Sequence, residues 1–568
     1  MEDKTDMISE RKDIPILKNV LKRLNSNDLT HNVKGSFKKL AKSLSTPSHV
    51  SIKEEKKLSF TIKFFYSLGH IYNDLTVSIW FSYTLLIFKF QFSDSMAGAL
   101  LLIGQMADAI ASPYVGFQSD RMPDIKLFRV LGRRKFWHLL GVILNTLTVP
   151  LIYNEKPCFP GNCINASDWT RFAFYAVLII IFQGGWAATQ VSHVSLIVDL
   201  TDNANERIEL NAYRQAATIF ANICLYTVTL FVIGFDSNET LRQEDLNVFT
   251  KVSYIVCAIG IVFSILFQVF VKEPVTEPNE RKPRGISTAS AFSIETQRAL
   301  HRGSVIGLMS FTSHNQNSSD DNDSIADIPV AIVIDVEKQL TKKSSEKKFW
   351  QWLISYNFWK VTIMYTMARM FFNLGQVYTP LYLQDTLQMP KNTVAIIPFA
   401  TYIAGLICSF SAKPFSTKFG TRWVLIIGAL FGITACIWIF IGSNSDAYKL
   451  WQIYCVSAFL GIGGTALIIS TLALTSDLIG TNKTTGAFVF ASMSFFDKAI
   501  NGVVIELLSH FTPVSEIGQS LDYYKLVLAL ITGLSSVVAL LGLLSIYKTT
   551  LGRKIHKSDK TNTNITLH

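Results

Sequence analysis

Long apolar segments recur along almost the whole chain, and no other feature constrains its fold as strongly. A helix needs about 20 predominantly apolar residues to cross a bilayer. A sliding-window reading finds about twelve such segments, near residues 60–88, 94–117, 136–153, 170–198, 211–234, 248–271, 354–383, 391–411, 422–442, 449–476, 485–510 and 521–547. The chain is 49% hydrophobic and 17% charged, whereas soluble domains carry about 25% charged residues. We therefore predict an all-α membrane protein with twelve transmembrane helices.

The predicted helices form two groups of six, separated by a long polar segment. The predicted linker is rich in Ser, Asn, Asp, Lys and Arg, and this composition predicts disorder because it buries too little apolar surface to fold. Two six-helix halves joined by a long middle segment are typical of the major facilitator fold. The predicted parts are a cytoplasmic N-terminal segment (1–59), a first bundle (60–272), the linker (273–348), a second bundle (349–548) and a cytoplasmic tail (549–568).

The distribution of positive charge predicts how the chain is oriented. The net charge of +11 comes from the first 57 residues, the tail after Tyr547 and short loops that follow even-numbered spans. Lys and Arg concentrate in cytoplasmic loops of membrane proteins, so both termini are predicted to be cytoplasmic. This pattern argues against nucleic acid as a partner. The polar first 57 residues predict no cleavable signal peptide. One such loop, after the second span, carries Arg121, Lys126, Arg129, Arg133, Arg134 and Lys135.

The loops predicted on the opposite side carry candidate sites of covalent modification. Cys158 and Cys163 flank four residues in the loop after the third span, and we predict a disulfide there because that compartment can be oxidising. Asn165 and Asn238 each begin a glycosylation sequon on the same predicted side. The other five cysteines lie within apolar spans, where small buried side chains are expected.

A short cationic motif follows the second span and predicts a gate. The sequence GFQSDR occupies residues 116–121, GRRK occupies 132–135, and a weaker cationic turn follows the eighth span at 413–422. An ordinary cytoplasmic loop would also carry these charges. The spacing favours a latch, in which an acid pairs with arginines and with a helix end when the cytoplasmic side closes. The predicted latch residues are Asp120, Arg121, Arg133 and Arg134.

Ionisable residues inside the predicted spans are candidates for a transport site. An intramembrane charge costs roughly 2.5–3.5 kcal/mol on insertion scales and usually marks a functional site. Most of these residues fall on spans that line the central cavity of the predicted fold, while the twelfth span has no internal charge. Lys498 offers Asp74 and Asp108 a countercharge; His193 fits a packing role equally well. The predicted substrate-binding or coupling residues are Asp74, Asp108, Gln190, His193, Arg369 and Lys498.

Several motifs resemble a branch of the major facilitator superfamily. Residues 74–121 and 195–214 resemble the glycoside–pentoside–hexuronide branch, which is typified by the melibiose permeases. The segments at 104–108 (GQMAD), 183–187 (QGGWA), 192–196 (SHVSL), 473–480 and 486–498 are more similar still to a family of lysosomal and melanosomal cysteine transporters. This resemblance covers roughly residues 60–548 without the linker. It implies transport of cysteine from the cytosol into the lumen of a lysosome or related organelle.

The resemblance to the sugar symporters is partial. It implies that Asp74 matches a sugar-binding carboxylate, Asp108 a cation-site carboxylate and Lys498 the lysine of the eleventh span. The second cation-site carboxylate is replaced by Ser112 and the second sugar-binding carboxylate by Gln190. A hard cation needs several oxygen ligands, so a sodium site is disfavoured and protons are the preferred coupling ion.

A zwitterionic amino acid suits the remaining charges, with Asp74 or Asp108 for its ammonium group and Lys498 or Arg369 for its carboxylate. The alternatives are a cation-coupled sugar symporter and, in another class, a non-transporting membrane scaffold or receptor. The sequence has no metal-ligand spacing, nucleophile elbow or phosphate loop. We therefore predict no enzyme activity, no cofactor and no metal. The predicted partners are a small-molecule substrate, the lipid bilayer and protons.

Overall fold

The computed structural model describes residues 58–121, 131–156, 158, 166–201, 204–235, 239–274, 349–442, 445–480, 486–513 and 522–546. All regular structure in these ranges is helical, without a β-strand, as the sequence predicts. The N-terminal segment, most of the predicted linker and the C-terminal tail lie outside these ranges, so the predicted domain boundaries there stay predictions.

The described residues of the first half contain seven α-helices, of which the first two make up the first predicted span. Each later helix corresponds to one predicted span of this half. The helices are α1 (Phe60–Leu68), α2 (Ile71–Gln91), α3 (Asp94–Arg121), α4 (Arg133–Ile152), α5 (Asp168–Leu200), α6 (Ala204–Ile233) and α7 (Leu246–Phe270).

The second half begins with a short helix, Phe349–Leu353, and continues with six long segments. Three of them include a π-helical turn, at Tyr382–Thr386, Tyr448–Gln452 and Val527–Thr532, and the last also includes Tyr523–Leu526. The main helices are α8 (Tyr356–Leu381), α9 (Thr393–Phe419), α10 (Thr421–Ile441), α11 (Ile453–Ile479), α12 (Gly486–His510) and α13 (Gly533–Ile546).

Ten helical segments within the described residues are long and apolar enough to cross a membrane. They correspond to ten of the predicted spans. Most of the first predicted span corresponds to α2, and the seventh corresponds to α8; these helices have 21 and 26 residues and carry the intramembrane charges Asp74 and Arg369. The multi-pass, all-helical architecture is thus confirmed, and the count of twelve spans stays a prediction.

The break between α1 and α2 is set by close packing at Gly69. A Cβ atom at this position would lie 2.6 Å from the Phe267 ring and 2.9 Å from the His193 ring. Only glycine fits without displacing these rings. The break places His70 between the two helices, with its side chain inside the bundle and 1% exposed. This packing decides where the histidine cluster described below forms.

One apolar core is shared by the two halves. It joins residues of α2, such as Tyr83 and Leu86, to residues of α8 and α9, such as Leu381 and Val394, all of them nearly inaccessible. These residues lie toward the end of the molecule where α2 meets α3, at residues 91–94, which we call the 91–94 end. The opposite end, at which α4 begins, we call the Arg134 end; the sequence predicts that it faces the cytoplasm. Large apolar side chains on the outer surface, including Phe231, Ile441 and Leu544, suit contact with lipid.

Candidate substrate pathway between the two halves

An ion pair joins the two halves at the middle of the bundle. Lys498 Nζ of α12 lies 2.5 Å from Asp108 Oδ2 of α3, and both side chains are largely buried. Ser112, one turn further along α3, donates its hydroxyl to Asp108 Oδ1 at 2.8 Å and accepts from Lys498 Nζ at 3.2 Å. Lys498 also lies over the Trp186 ring, 5.1 Å from its centroid. Of the two carboxylates that the sequence offers to Lys498, the structure places Asp108 beside it.

A second ion pair lies next to the first within the second half. Arg369 Nε of α8 donates to Asp497 Oδ2 at 3.2 Å. Asn501, one turn further along α12, donates to Asp497 Oδ1 at 2.7 Å. Both carboxylate oxygens of Asp497 therefore accept a hydrogen bond. Asp497 and Lys498 are adjacent in the sequence but form ion pairs with different residues, Arg369 and Asp108. The four charges cancel in pairs, which lowers the cost of burying them.

Arg369 is the most accessible member of this four-charge group. Its side chain is 31% exposed, whereas that of Asp497 is 2% exposed. Only Nε is used in a hydrogen bond, so both Nη groups have no protein partner among the described residues. A guanidinium with free Nη groups binds a carboxylate through two parallel hydrogen bonds. Arg369 is thus the side chain of the group that is best placed to take up an anionic ligand.

A small cavity of about 40 Å³ is lined by α8, one to two turns from Arg369 toward the 91–94 end. Gln376 of α8 lines it and donates to Ser82 Oγ of α2 at 3.0 Å. Ser82 in turn shares a hydrogen bond of 2.7 Å with the Tyr226 hydroxyl of α6, and Tyr226 packs against Tyr402 of α9 with ring centroids 5.4 Å apart. The cavity lining thus combines residues from both halves.

Our sequence analysis missed Gln376, Tyr226 and Tyr402. Each is a polar side chain within an apolar span, which is the signal that could have identified it. Tyr402 lies within electrostatic range of both Asp74 and Arg369. It is therefore close to an acid of the first half and to a base of the second half.

Asp74 lies away from Lys498, on the first-half side of the pathway. Its Oδ1 is 3.5 Å from His70 Nε2 and accepts from Asn73 Nδ2 at 3.4 Å. Its Oδ2 is buried and has no hydrogen-bond partner among the described residues. A buried carboxylate oxygen without a donor is costly, so a donor that reached this oxygen would be stabilising.

His193 and Gln190 of α5 differ in their surroundings. His193 Nε2 lies 2.8 Å from the Tyr66 carbonyl, the Tyr66 hydroxyl donates to the His193 carbonyl at 3.0 Å, and the two rings stack. This reciprocal contact favours the packing role for His193. Gln190 is partly exposed and lies one turn from Trp186 on the same helix face, and Lys498 lies over the Trp186 ring. The structure therefore keeps Gln190 near the candidate site and His193 behind it.

The predicted latch residues that the structure describes pair within the first half. Arg134 donates to Asp199 Oδ2 at 3.3 Å and to Ser119 Oγ at 2.6 Å, and Arg133 lies 3.8 Å from Asp199. Asp199, at the end of α5, was not predicted as part of this group. The side chains of Asp120 and Arg121 lie outside the described part of the chain, so their roles stay predictions.

The Glu273 carboxylate, just after the end of α7, also belongs to this cluster. It accepts the backbone N–H groups of Arg134 at 2.8 Å and Lys135 at 3.1 Å, where α4 begins. A carboxylate at a helix N-terminus satisfies orphan donors and interacts favourably with the helix dipole. Burial raises the pKa of Glu273, and the nearby Asp199 carboxylate raises it further, while the two backbone hydrogen bonds oppose this rise.

Hydrogen bonds and ion pairs between the halves concentrate at the 91–94 end. Lys89 Nζ lies 3.4 Å from Asp94 and 3.3 Å from Asp385, and it also contacts the Tyr524 hydroxyl. Lys391 Nζ lies 2.7 Å from Asp245, again across the two halves. These contacts hold the 91–94 end closed.

The predicted modification sites fall mainly outside the described residues. Cys158 is disulfide-bonded, but Cys163, its predicted partner, is outside those ranges, as are Asn165 and Asn238. The pairing and the glycosylation stay predictions. The five cysteines predicted to be buried in spans are free thiols.

Comparison with known proteins supports the architecture. The family model of the Major Facilitator Superfamily matches residues 64–496 and, in a second match, residues 361–559. Major facilitator superfamily domain-containing protein 12 of Mus musculus is 30% identical over 514 residues, covering 86% of this chain and 94% of that protein. The Homo sapiens protein of that name is 30% identical over 509 residues, with the same coverage of both chains, 86% and 94%.

A solved structure shares the fold at much lower identity. The xylose transporter XylE from E. coli, in an inward open conformation, matches with a TM-score of 0.55 and 15% identity, covering 88% of this chain and 97% of that chain. The two bundles, the buried charges between them and these similarities agree with one another. This chain belongs to the Major Facilitator Superfamily and is a multi-pass membrane transporter.

Proposed function

We propose that this transporter carries a small zwitterionic amino acid, cysteine in the first instance, across the membrane by alternating access. The observation that carries the proposal is the Arg369 guanidinium, which is held by Asp497 through Nε and presents two Nη groups without a protein partner among the described residues. Such a group suits an α-carboxylate. Movement from the cytosol into a lysosome or related organelle is proposed from the sequence resemblance alone.

The ammonium group of the substrate requires an acid that is not already neutralised. Asp108 is engaged by Lys498 and Ser112. Asp74 has a buried Oδ2 without a donor among the described residues. We therefore assign the ammonium group to Asp74 and the carboxylate to Arg369; the charges of both side chains act on Tyr402. A zwitterion that touches both would link the first half to the second.

The site suits an amino acid better than a sugar. Sugar binding in the related symporters is expected to need paired acids, and Gln190 stands where the second acid would be. Ser112 occupies the position of a second cation-site carboxylate and instead bridges Asp108 to Lys498. With few oxygen ligands available to a metal cation, protons are the proposed coupling ion.

Counterflow in liposomes tests this assignment. Purified protein should exchange labelled cysteine for unlabelled cysteine, and other small amino acids should compete better than sugars. Arg369→Lys keeps the positive charge beside Asp497 but loses the planar, bidentate fork, so we expect the concentration for half-maximal exchange to rise by about tenfold or more. Arg171→Lys is the matched control, since Arg171 pairs with the more exposed Asp168.

Each alternative predicts a different result. Exchange of sugars in preference to amino acids would support the sugar symporter. Exchange of neither class by correctly folded protein would support a scaffold or receptor. An unchanged half-maximal concentration in Arg369→Lys would remove Arg369 from the substrate site.

A further inference from the structure

His70 lies where two groups of opposite charge approach the same ring nitrogen. Its Nε2 is 3.2 Å from Arg214 Nη1 of α6 and 3.5 Å from Asp74 Oδ1 of α2. A guanidinium can only donate, and a carboxylate can only accept. One nitrogen therefore faces a donor and an acceptor, and its own proton decides which of the two it can bind.

The Arg214 contact fixes the protonation state in this conformation. Nε2 can accept from Arg214 only when it carries no proton, so His70 is neutral here with its hydrogen on Nδ1. When a proton binds Nε2, the ring becomes cationic, repels Arg214 and can donate to Asp74 Oδ1. Binding one proton therefore changes the partner of His70 from Arg214 of α6 to Asp74 of α2.

Among the described residues that pack against His70, only Asp74 and Arg214 carry a full charge. The titratable groups that face it are Asp74 of α2, Arg214 of α6, His193 of α5 and His138 of α4. His193 stacks on His70 with ring centroids 5.1 Å apart, and Tyr66 of α1 also stacks on His193. From α7, Phe267 packs against His193 and His138.

Buried polar atoms without partners concentrate around this nitrogen. Buried unpaired groups are rare in proteins because each one is costly, and their concentration at one place calls for a functional explanation. Within the described part of the chain, the cluster contains five such atoms: His70 Nδ1, Asn73 Oδ1, Asp74 Oδ2, His193 Nδ1 and Arg214 Nε.

Arg214 links the protonation of His70 to the interface between the halves. His70 is the only hydrogen-bond partner of its side chain among the described residues, so a protonated His70 releases it. Arg214 belongs to α6, which packs against α9 of the second half. Further along α6, Tyr226 lines the central cavity and packs against Tyr402. Asp74 is the acid that we assign to the substrate ammonium group, so both partners of His70 are connected to the proposed transport site.

We propose that His70 is the proton-binding site of this transporter, exchanging Arg214 for Asp74 when it binds a proton. The proposal rests on the proposed function, because it names the site at which the coupling ion acts. It also assigns His193, which stacks on the His70 ring, a supporting position. The proposed ligand of His70 is a single proton that arrives through the aqueous pathway.

Two transport assays on the full chain in liposomes separate this proposal from the proposed function. Counterflow of labelled cysteine needs no gradient, whereas accumulation under a pH gradient needs coupling. A gradient of one pH unit supports up to about tenfold accumulation when one proton moves per substrate. We expect His70→Gln to retain counterflow and to show no gradient-driven accumulation. His138→Gln is the matched control, since both ring nitrogens of His138 already have partners, the Gly69 carbonyl and Gln268.

The outcomes are distinct. Gradient-driven accumulation by His70→Gln overturns the proposal, and so does an equal loss of coupling in His138→Gln, which would point to packing. Absent counterflow in the unsubstituted protein contradicts the proposed function instead. Proton uptake by detergent-solubilised protein then tests His70 directly: we expect His70→Gln to bind one proton fewer during titration, and an equal count overturns the proposal.

A second variant covers the case in which His70→Gln does not fold. Arg214→Gln removes the cation beside His70, which makes proton binding at His70 more favourable. We expect the pH of half-maximal transport to move to higher pH. An unchanged pH profile in this variant overturns the proposal.

Discussion

Lys498 Nζ lies 2.5 Å from Asp108 Oδ2, and this contact joins α12 of the second half to α3 of the first half. The two charges are largely buried, and each offsets part of the cost of burying the other. Because the pair spans the interface between the halves, the proposed alternating access would strain or break it. The pair is therefore placed to link substrate binding to the change of conformation.

Removing one member of this pair should abolish transport. Lys498→Ala leaves Asp108 buried without its cation, and breaking a buried pair in this way costs roughly 3–5 kcal/mol. We expect no measurable uptake and a reduced amount of folded protein in the membrane. Uptake at the normal rate by Lys498→Ala would show that the pair has no part in transport.

A double substitution identifies the partner of Lys498. Combining Lys498→Ala with Asp108→Asn removes both charges, so the amount of folded protein should recover while transport stays absent. Combining Lys498→Ala with Asp74→Asn should give no recovery, because Asp74 contacts His70 instead. The amount of folded protein is measured by quantitative detection in membranes. Recovery of this amount in the double variant with Asp74→Asn, but not in the one with Asp108→Asn, would contradict the observed pairing.

Close packing of α3 on α12 should control the 91–94 end. A Cβ atom added at Gly98 would lie 2.5 Å from Ser509 Cβ, so Gly98→Ala forces the two helices apart. We expect more labelling of a Gly375→Cys reporter by a membrane-impermeant thiol reagent added from the 91–94 side. Gly184→Ala is the matched control, since a Cβ there meets nothing within 4 Å.

The reporter position is suitable because Gly375 lines the cavity and a Cβ there also has open space. The five free cysteines are replaced in the background chain, so labelling reports on this site. Equal labelling of the Gly98→Ala and Gly184→Ala proteins would show that the α3–α12 contact does not hold this end closed.

The arginine cluster at the Arg134 end should contribute to stability. Asp199→Asn removes the carboxylate that faces Arg133 and Arg134, and a charged hydrogen bond of this kind contributes about 1.5–3 kcal/mol. We expect a lower Tm in detergent. Asp168→Asn is the control because its ion pair with Arg171 is more exposed, and exposed pairs contribute about 0–1 kcal/mol. Equal Tm values for both variants would contradict a structural role for Asp199.

Most of the polar segment between the halves should be dispensable for transport. Its composition predicts a linker, with only a short apolar run at 328–334. We expect a chain lacking residues 280–340 to retain most of its cysteine counterflow. Loss of counterflow in protein that still reaches its membrane would show that the segment has a binding function of its own.

The sequence by itself determined the helical membrane architecture and the identity of the buried charges. Long apolar segments can only be helices in a bilayer, because every backbone polar group must be satisfied within the segment. The same reasoning marks Asp74, Asp108, Arg369 and Lys498, since an intramembrane charge is costly wherever it lies.

Only the tertiary structure decided which charges meet. Hydropathy gives the position of a residue along its span and not the direction of its side chain or the rotation of its helix. That Lys498 pairs with Asp108, Arg369 with Asp497, and His70 with Arg214 depends on contacts between helices far apart in the sequence. Close packing, as at Gly69, sets these rotations, because each helix settles where the side chains of its neighbours leave room.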